Sequence, residues 1–217
     1  MRSREIEEYK EKLALTDTQR EVLVGLILGD AHLETKDGGK TYRVKIEQSI
    51  AHIDYVMHLY EVFKPFVRTP PQERVVKRQE RESVNIRFQT LSHSCFRFYA
   101  QQFYGNGKKS IPNLIHRWLS PQAIAYWFMD DGSIKSSQSK AVIFNTQGFR
   151  PPEVSNLCQI LEEKFQLKCK PRQQKDGQQI YISGDSYETL SDIISPFLIE
   201  SMKYKFPKAR QTQLPKK

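Results

Sequence analysis

Two short apolar runs decide the architecture. The first is Leu23-Val24-Gly25-Leu26-Ile27-Leu28-Gly29-Asp30-Ala31, and the second is Ile124-Ala125-Tyr126-Trp127-Phe128-Met129-Asp130-Asp131-Gly132-Ser133. Aligned on Asp30 and Asp131, they lie 101 residues apart in a chain of 217. Each is apolar on every side of a helical wheel, which predicts a buried helix rather than a surface one. Gly25 and Gly29, spaced by four, would let another backbone approach closely.

Working outward, the same order of elements runs twice. Thr16-Asp17-Thr18-Gln19 caps the first run as a helix. The turn Lys36-Asp37-Gly38-Gly39 then leads to a strand alternating at Tyr42, Val44 and Ile46. Ile53, Val56, Met57, Tyr60 and Phe63 recur at helical spacing and stop before Pro65. From Gln72 to Gln89 the pattern predicts two strands, the second placing Val84, Ile86 and Phe88 on one face and Asn85, Arg87 and Gln89 on the other. A helix from His93 to Tyr104 closes the first half. Ser120 with Pro121 caps the second motif helix, which Gly132 ends. Strands are expected near Ala141–Phe144, Leu167–Gln174 and Gln178–Ser183, with helices over Pro152–Phe165 and Ser186–Phe197. The reading is an α+β protein of two α-β-β-α-β-β-α halves, 1–115 and 116–217, joined without a Gly/Ser linker.

Composition supports a folded, polyanion-facing chain. Hydrophobic residues make up 38% and charged residues 27%, and 34 Lys and Arg stand against 25 acids for a formal charge of +9. Such a balance keeps a protein soluble, and it also suits nucleic acid. No apolar run approaches the roughly 20 residues of a membrane span, and the charged start lacks a secretory signal. Cys95, Cys158 and Cys169 are odd in number and lack paired ligand spacing. Together with the scattered His32, His52, His58, His93 and His116, they argue against zinc and for a reducing, intracellular setting.

The acids are the anomaly. A carboxylate at a helix C-terminus faces the negative end of the dipole, an unfavourable ~0.3–1 kcal/mol. An aspartate can simply begin a loop, but twice, at matching places beside a buried seam, it calls for a cation. Hard oxygen ligands suit Mg²⁺, with Mn²⁺ or Ca²⁺ as substitutes, and such ions lower the pKa of a bound water and stabilise a departing alkoxide. Gly29 and Asp130, adjoining the two acids, join Asp30 and Asp131 as candidate metal ligands.

On these residues the chain resembles the LAGLIDADG homing endonucleases, in their single-chain form with two motif copies. Asp30 and Asp131 match the eighth, metal-binding position of the motif. The likeness extends through Tyr42-Arg43-Val44-Lys45-Ile46-Glu47-Gln48-Ser49, His52-Ile53-Asp54-Tyr55 and Met202-Lys203-Tyr204-Lys205-Phe206-Pro207, over roughly residues 15 to 208. The first copy departs with Ala31-His32 where the family often has Gly-Ser, and the second with Tyr126 at a usually small position. The resemblance implies a pseudo-symmetric body, two saddle-shaped antiparallel sheets astride a duplex and the motif helices packed at the centre. It also implies a monomer that makes a Mg²⁺-dependent double-strand break in a long, non-palindromic DNA target. The host would be a chloroplast, a mitochondrion or a bacterial or archaeal cytoplasm.

Further site residues follow from the repeat. Gln48, 18 residues after Asp30, and Gln147, 16 after Asp131, are candidates for orienting water, or else ordinary polar residues of the sheet. The family places a basic residue near each active site. Lys108 and Lys203, each four before a proline, are the candidates, with Lys109 and Lys205 as competitors. The DNA-reading set is Arg43, Lys45, Arg74, Arg78, Asn85, Arg87, Gln89, Lys168, Lys170, Arg172 and Gln174. Two alternatives stay open: a maturase acting on intron RNA, and a DNA-binding regulator without chemistry. A regulator of that kind should have lost a motif acid, and both are present.

Overall fold

A computed structural model describes residues 3–78, 81–105 and 107–207. The elements in chain order are α1 (Ser3–Glu11), α2 (Asp17–Leu28), β1 (His32–Glu34), β2 (Arg43–Ser49), α3 (Ile53–Phe63), β3 (Gln72–Arg78), β4 (Arg81–Gln89) and α4 (Arg97–Phe103). There follow α5 (Ile115–Trp118), α6 (Pro121–Asp131), β5 (Gly132–Ile134), β6 (Val142–Phe144), α7 (Pro151–Phe165), β7 (Cys169–Gln174), β8 (Gly177–Ile182) and α8 (Tyr187–Ile194). From α2 to α4 and again from α6 to α8, the order is α-β-β-α-β-β-α. The short helices α1 and α5 fall outside this pattern. The helix expected from His93 begins as a 3₁₀ turn at Ser94–Phe96 before α4.

Each half builds one four-stranded antiparallel sheet, ordered β1-β2-β4-β3 in the first and β5-β6-β8-β7 in the second. In the first sheet Ile46 pairs with Phe88 and Val44 with Leu33, and all four are buried. Tyr55, Val56, Leu59 and Phe63 of α3 are buried too, covering that face. The opposite face is polar, as an antiparallel sheet with one wet side should be. In the second sheet Val142, Phe144, Ile180 and Ile182 are buried, as are Val154, Leu157 and Leu161 of α7.

The chain divides into two compact units, Met1–Asp130 and Asp131–Lys217. The helix α6 therefore counts with the first unit up to its penultimate residue, although by sequence repeat it opens the second half. Glycine explains why. A Cβ at Gly25 would sit 2.4 Å from the Ala123 carbonyl oxygen and 2.9 Å from the Tyr126 Cβ. One at Gly29 would meet the Asp130 carboxylate at 2.5 Å. Only glycine lets α2 lie this close to α6. The bulky Tyr126 does not prise the helices apart, because its hydroxyl reaches the His58 Nε2 at 2.6 Å. Burial holds the His58 pKa below its ordinary value and raises that of Tyr126 to about 12, so a protonated phenol donates to a neutral imidazole.

At its start α2 is fixed by a capping box, Thr16 Oγ1 accepting from the Gln19 N–H while the Gln19 side chain accepts from the Thr16 N–H. Gly25→Ala is expected to lower stability by about 1–3 kcal/mol, since a backbone oxygen rather than a flexible side chain must move. Thermal unfolding checks this, and an unchanged midpoint would mean that the helices separate without cost.

Candidate active site and nucleic-acid interface

The first motif helix ends in a dense polar cluster. Gly29 N–H still bonds back to Gly25, and Ala31 N–H reaches Leu26, so the last turn widens as Asp30 leaves it. The exposed Asp30 carboxylate accepts from Gln48 Nε2 at 2.8 Å. Gln48 is near the end of β2, on the same face as Val44 and Ile46, and so points back toward the helix end. Its Oε1 lies 3.5 Å from His52 Nδ1. Asp130 completes the cluster: its Oδ2 accepts from the Asp30 N–H at 3.1 Å, and its Oδ1 accepts from the Tyr55 hydroxyl at 2.9 Å and from Gln48 Nε2 at 3.4 Å.

A basic side chain is also present. Lys109 Nζ donates to the carbonyls of Gly29 at 2.7 Å and Ala31 at 3.2 Å. A lysine there meets the negative end of the helix dipole. The compensating charge that the helix end demands is thus supplied in part by the protein, and the Gly29 oxygen is already engaged. Lys108, one residue earlier, is exposed. Burial and the Lys109 charge push the His32 pKa down, keeping that imidazole neutral near pH 7.

In the second unit Asp131 is the last residue of α6, and its carbonyl accepts from both the backbone N–H of Asn145, at 3.0 Å, and its Nδ2, at 2.9 Å. Gln179 Nε2 holds the Asn145 Oδ1 at 2.7 Å. Asn145 here donates to a carbonyl at the helix end, as Lys109 does for α2, but brings no positive charge. Strand register also relates the two sheets. His32 pairs with Lys45, and its counterpart Ser133 pairs with Ile143. Counting on from those pairs puts Thr146 at the position of Gln48, and Gln147 one residue beyond. Thr146 is buried and donates to the Gln178 carbonyl. Gln147 lies in the following turn, its backbone against Gly177, where φ is +143° and a Cβ would fall 2.7 Å from the Gln147 oxygen. Lys203 is exposed and paired with Glu200 at 2.6 Å, while Lys205 is half-buried.

The polar face of the first sheet gathers Arg43 and Lys45 from β2, Asn85, Arg87 and Gln89 from β4, and Gln72 and Arg74 from β3. Cross-strand partners set this: Lys45 opposes Gln89, Arg87 opposes Gln72, and Arg74 opposes Asn85. Arg43, Lys45, Arg68, Gln72, Arg87 and Gln89 line a groove of about 530 Å³. Two acids are woven into the face. Glu34 accepts from Arg43 and pairs with Lys45 at 3.2 Å, and Glu47 accepts from Asn85 at 2.8 Å and pairs with Arg74 at 3.5 Å. The backbone of Arg78 ends β3, and its side chain lies outside what is described. On the second sheet Lys170 opposes Tyr181, Arg172 opposes Gln179 and Gln174 opposes Gly177, so these three share a face. Lys168 lies before β7 and pairs with Asp185 at 3.7 Å.

Sequence reasoning did not anticipate Tyr55, Asn145, Glu34 or Glu47 as parts of these constellations. Tyr55 carried a usable signal, since a phenol on an otherwise apolar helix face must find a buried acceptor. The other three depend on strand register.

Known proteins fit this geometry. Residues 20–190 match the family model described as the LAGLIDADG DNA endonuclease family. The chain is 33% identical over 210 residues to a probable intron-encoded endonuclease 1 of Wickerhamomyces canadensis, covering 94% of this chain and 90% of that protein. It is also 33% identical over 193 residues to the cytochrome b mRNA maturase bI2 of Debaryomyces hansenii, covering 85% and 72%. Among solved structures, the homing endonuclease I-WcaI bound to its DNA recognition sequence superposes with a TM-score of 0.89 at 32% identity, covering 94% of this chain and 92% of that one. With two buried motif helices, two antiparallel sheets of matching order and a family match over most of its length, the chain belongs to the LAGLIDADG DNA endonuclease family.

Proposed function

We propose that this protein is a site-specific DNA endonuclease that acts as a monomer on a long, non-palindromic duplex and hydrolyses one phosphodiester in each strand. The observation that carries the reading is the Asp30 cluster: an exposed carboxylate at the end of a buried helix, accepting from Gln48, on a residue whose backbone N–H donates to Asp130, in the unit whose sheet presents a basic face. The residues fit a divalent metal. Mg²⁺ prefers one or two carboxylates together with waters and phosphate oxygens. Among the described residues no group of three or more His, Cys, Asp or Glu is placed to hold a metal ion by itself. Asp30, and Asp131 in the second unit, would hold such ions. When bound, the metal supplies a more acidic water and charge stabilisation for the leaving oxygen.

The protein's own groups do the rest. Gln48 fixes the rotamer of Asp30 through its amide hydrogen and turns its carbonyl oxygen away from that carboxylate. Lys109 neutralises the helix end and adds positive charge beside the phosphate. Arg43, Lys45, Arg74, Asn85, Arg87 and Gln89 on the first sheet, with Lys170, Arg172 and Gln174 on the second, read base edges or grip phosphates. The test is to incubate the protein with a random-site duplex library and sequence the cut ends. A single long motif cut on both strands is expected with Mg²⁺ or Mn²⁺, and none in the presence of EDTA. Cleavage that survives chelation would remove the metal from the reading.

The maturase relative favours a second activity, assistance to intron RNA folding, which intact motif acids permit. A splicing assay on the host intron separates the two: an Asp30→Asn variant that still promotes splicing would show the activities to be independent. Among the described residues no helix is long and apolar enough to cross a membrane.

A further inference from the structure

We propose that Asp130 is a positioning residue for the Asp30 centre, so that the two strands of the target are cut under unequal control. The inference rests on the endonuclease reading above and deepens it. The two motif copies differ at the residue before the acid, which is Gly29 in the first and Asp130 in the second. Glycine there offers no side chain. Aspartate offers two oxygens, and both are engaged around Asp30. Oδ2 accepts from the backbone N–H of Asp30 at 3.1 Å, which sets the direction in which that residue leaves the helix. Oδ1 accepts from Gln48 Nε2 at 3.4 Å, the same nitrogen that donates to the Asp30 carboxylate at 2.8 Å. Oδ1 also accepts from the hydroxyl of Tyr55, which is wholly buried in α3. The missing Cβ at Gly29 makes room for this carboxylate, so the asymmetry is built into both copies. At Asp131 the backbone carbonyl accepts from the Asn145 Nδ2, and Gln179 Nε2 holds the Asn145 Oδ1.

The direction of these hydrogen bonds makes an amide a poor replacement for Asp130. Three donors meet it here: a backbone N–H, an amide N–H and a phenolic O–H. Asparagine has one acceptor oxygen and one donor nitrogen. Either orientation turns its NH₂ toward a donor, releasing Asp30 or releasing Gln48 with Tyr55. Residues that hold a metal ligand in place typically cost 10- to 100-fold in activity when changed.

The experiment is strand-resolved cleavage of a doubly end-labelled target duplex with Mg²⁺, with Asp30→Asn and Asp131→Asn identifying which acid serves which strand. Asp130→Asn is expected to slow the strand silenced by Asp30→Asn roughly tenfold or more. The other strand should stay within about twofold and DNA affinity should be unchanged, so that nicked product accumulates. Tyr55→Phe, which removes one donor and keeps the ring, should slow the same strand by a smaller factor. It keeps the test decisive should Asp130→Asn not fold. Equal slowing of both strands, no slowing of either, or slowing confined to the strand silenced by Asp131→Asn overturns the proposal. Wild-type protein that cuts neither strand would instead overturn the endonuclease reading beneath it.

Discussion

Replacing Asp30 or Asp131 by asparagine is expected to cut double-strand cleavage by about 10²- to 10⁴-fold while leaving duplex binding nearly intact. A metal-supplied charge stabilisation of several kcal/mol corresponds to a rate factor of that order. Asparagine keeps the volume and one oxygen, so Gln48 retains an acceptor at position 30 and the helix end keeps its shape. What is lost is the negative charge that would hold a divalent ion. Binding should survive because the basic sheet faces do not depend on these acids. The two variants should each leave one strand cleavable, giving nicked plasmid. Measurement of strand rates beside an electrophoretic shift checks both halves of the statement. Unchanged cleavage in both variants would remove these acids from the mechanism.

The second large effect is on affinity. A protein that neutralises six to ten phosphates loses roughly 10³- to 10⁵-fold in affinity between 50 and 200 mM salt, through counterion release. With a formal charge of +9 and the first sheet's groove lined by Arg43, Lys45, Arg68 and Arg87, this chain is expected to fall in that range. A titration of specific and random duplexes at several salt concentrations gives the slope. A slope near zero would mean that contact is not through the phosphate backbone. Arg87→Ala should reduce the slope if it meets phosphate, and should relax base preference without changing the slope if it meets guanine.

Much of this was legible in the chain before any coordinates. The motif helices declared themselves because residues apolar on every side have no solvent face. The alternation of Val84, Ile86 and Phe88 with Asn85, Arg87 and Gln89 named the wet side of the sheet, because side chains of a strand alternate strictly. Gly25 announced a close approach, and the Ala123 carbonyl is what approaches it. Other features depended on pairings that no local pattern encodes. Lys108 and Lys109 sit in an irregular segment after α4, where spacing to a proline cannot say which ammonium reaches the helix end. Asn145 acts through a backbone carbonyl, which leaves no mark on side-chain chemistry. The place of Thr146 opposite Gln48 appears only when the two ladders are counted. The sequence repeat would put the boundary near residue 115, whereas the compact unit extends to Asp130, with α6 lying close against α2.

Glu34 and Glu47 each tether two of the side chains proposed to read DNA, Arg43 with Lys45 and Arg74 with Asn85. On the proposed reading the two side chains of each pair would be thermodynamically linked, since changing one alters what its shared carboxylate does to the other. Attempts to retarget the protein one amino acid at a time would meet epistasis, and the natural unit of altered preference on this surface is the acid together with its pair.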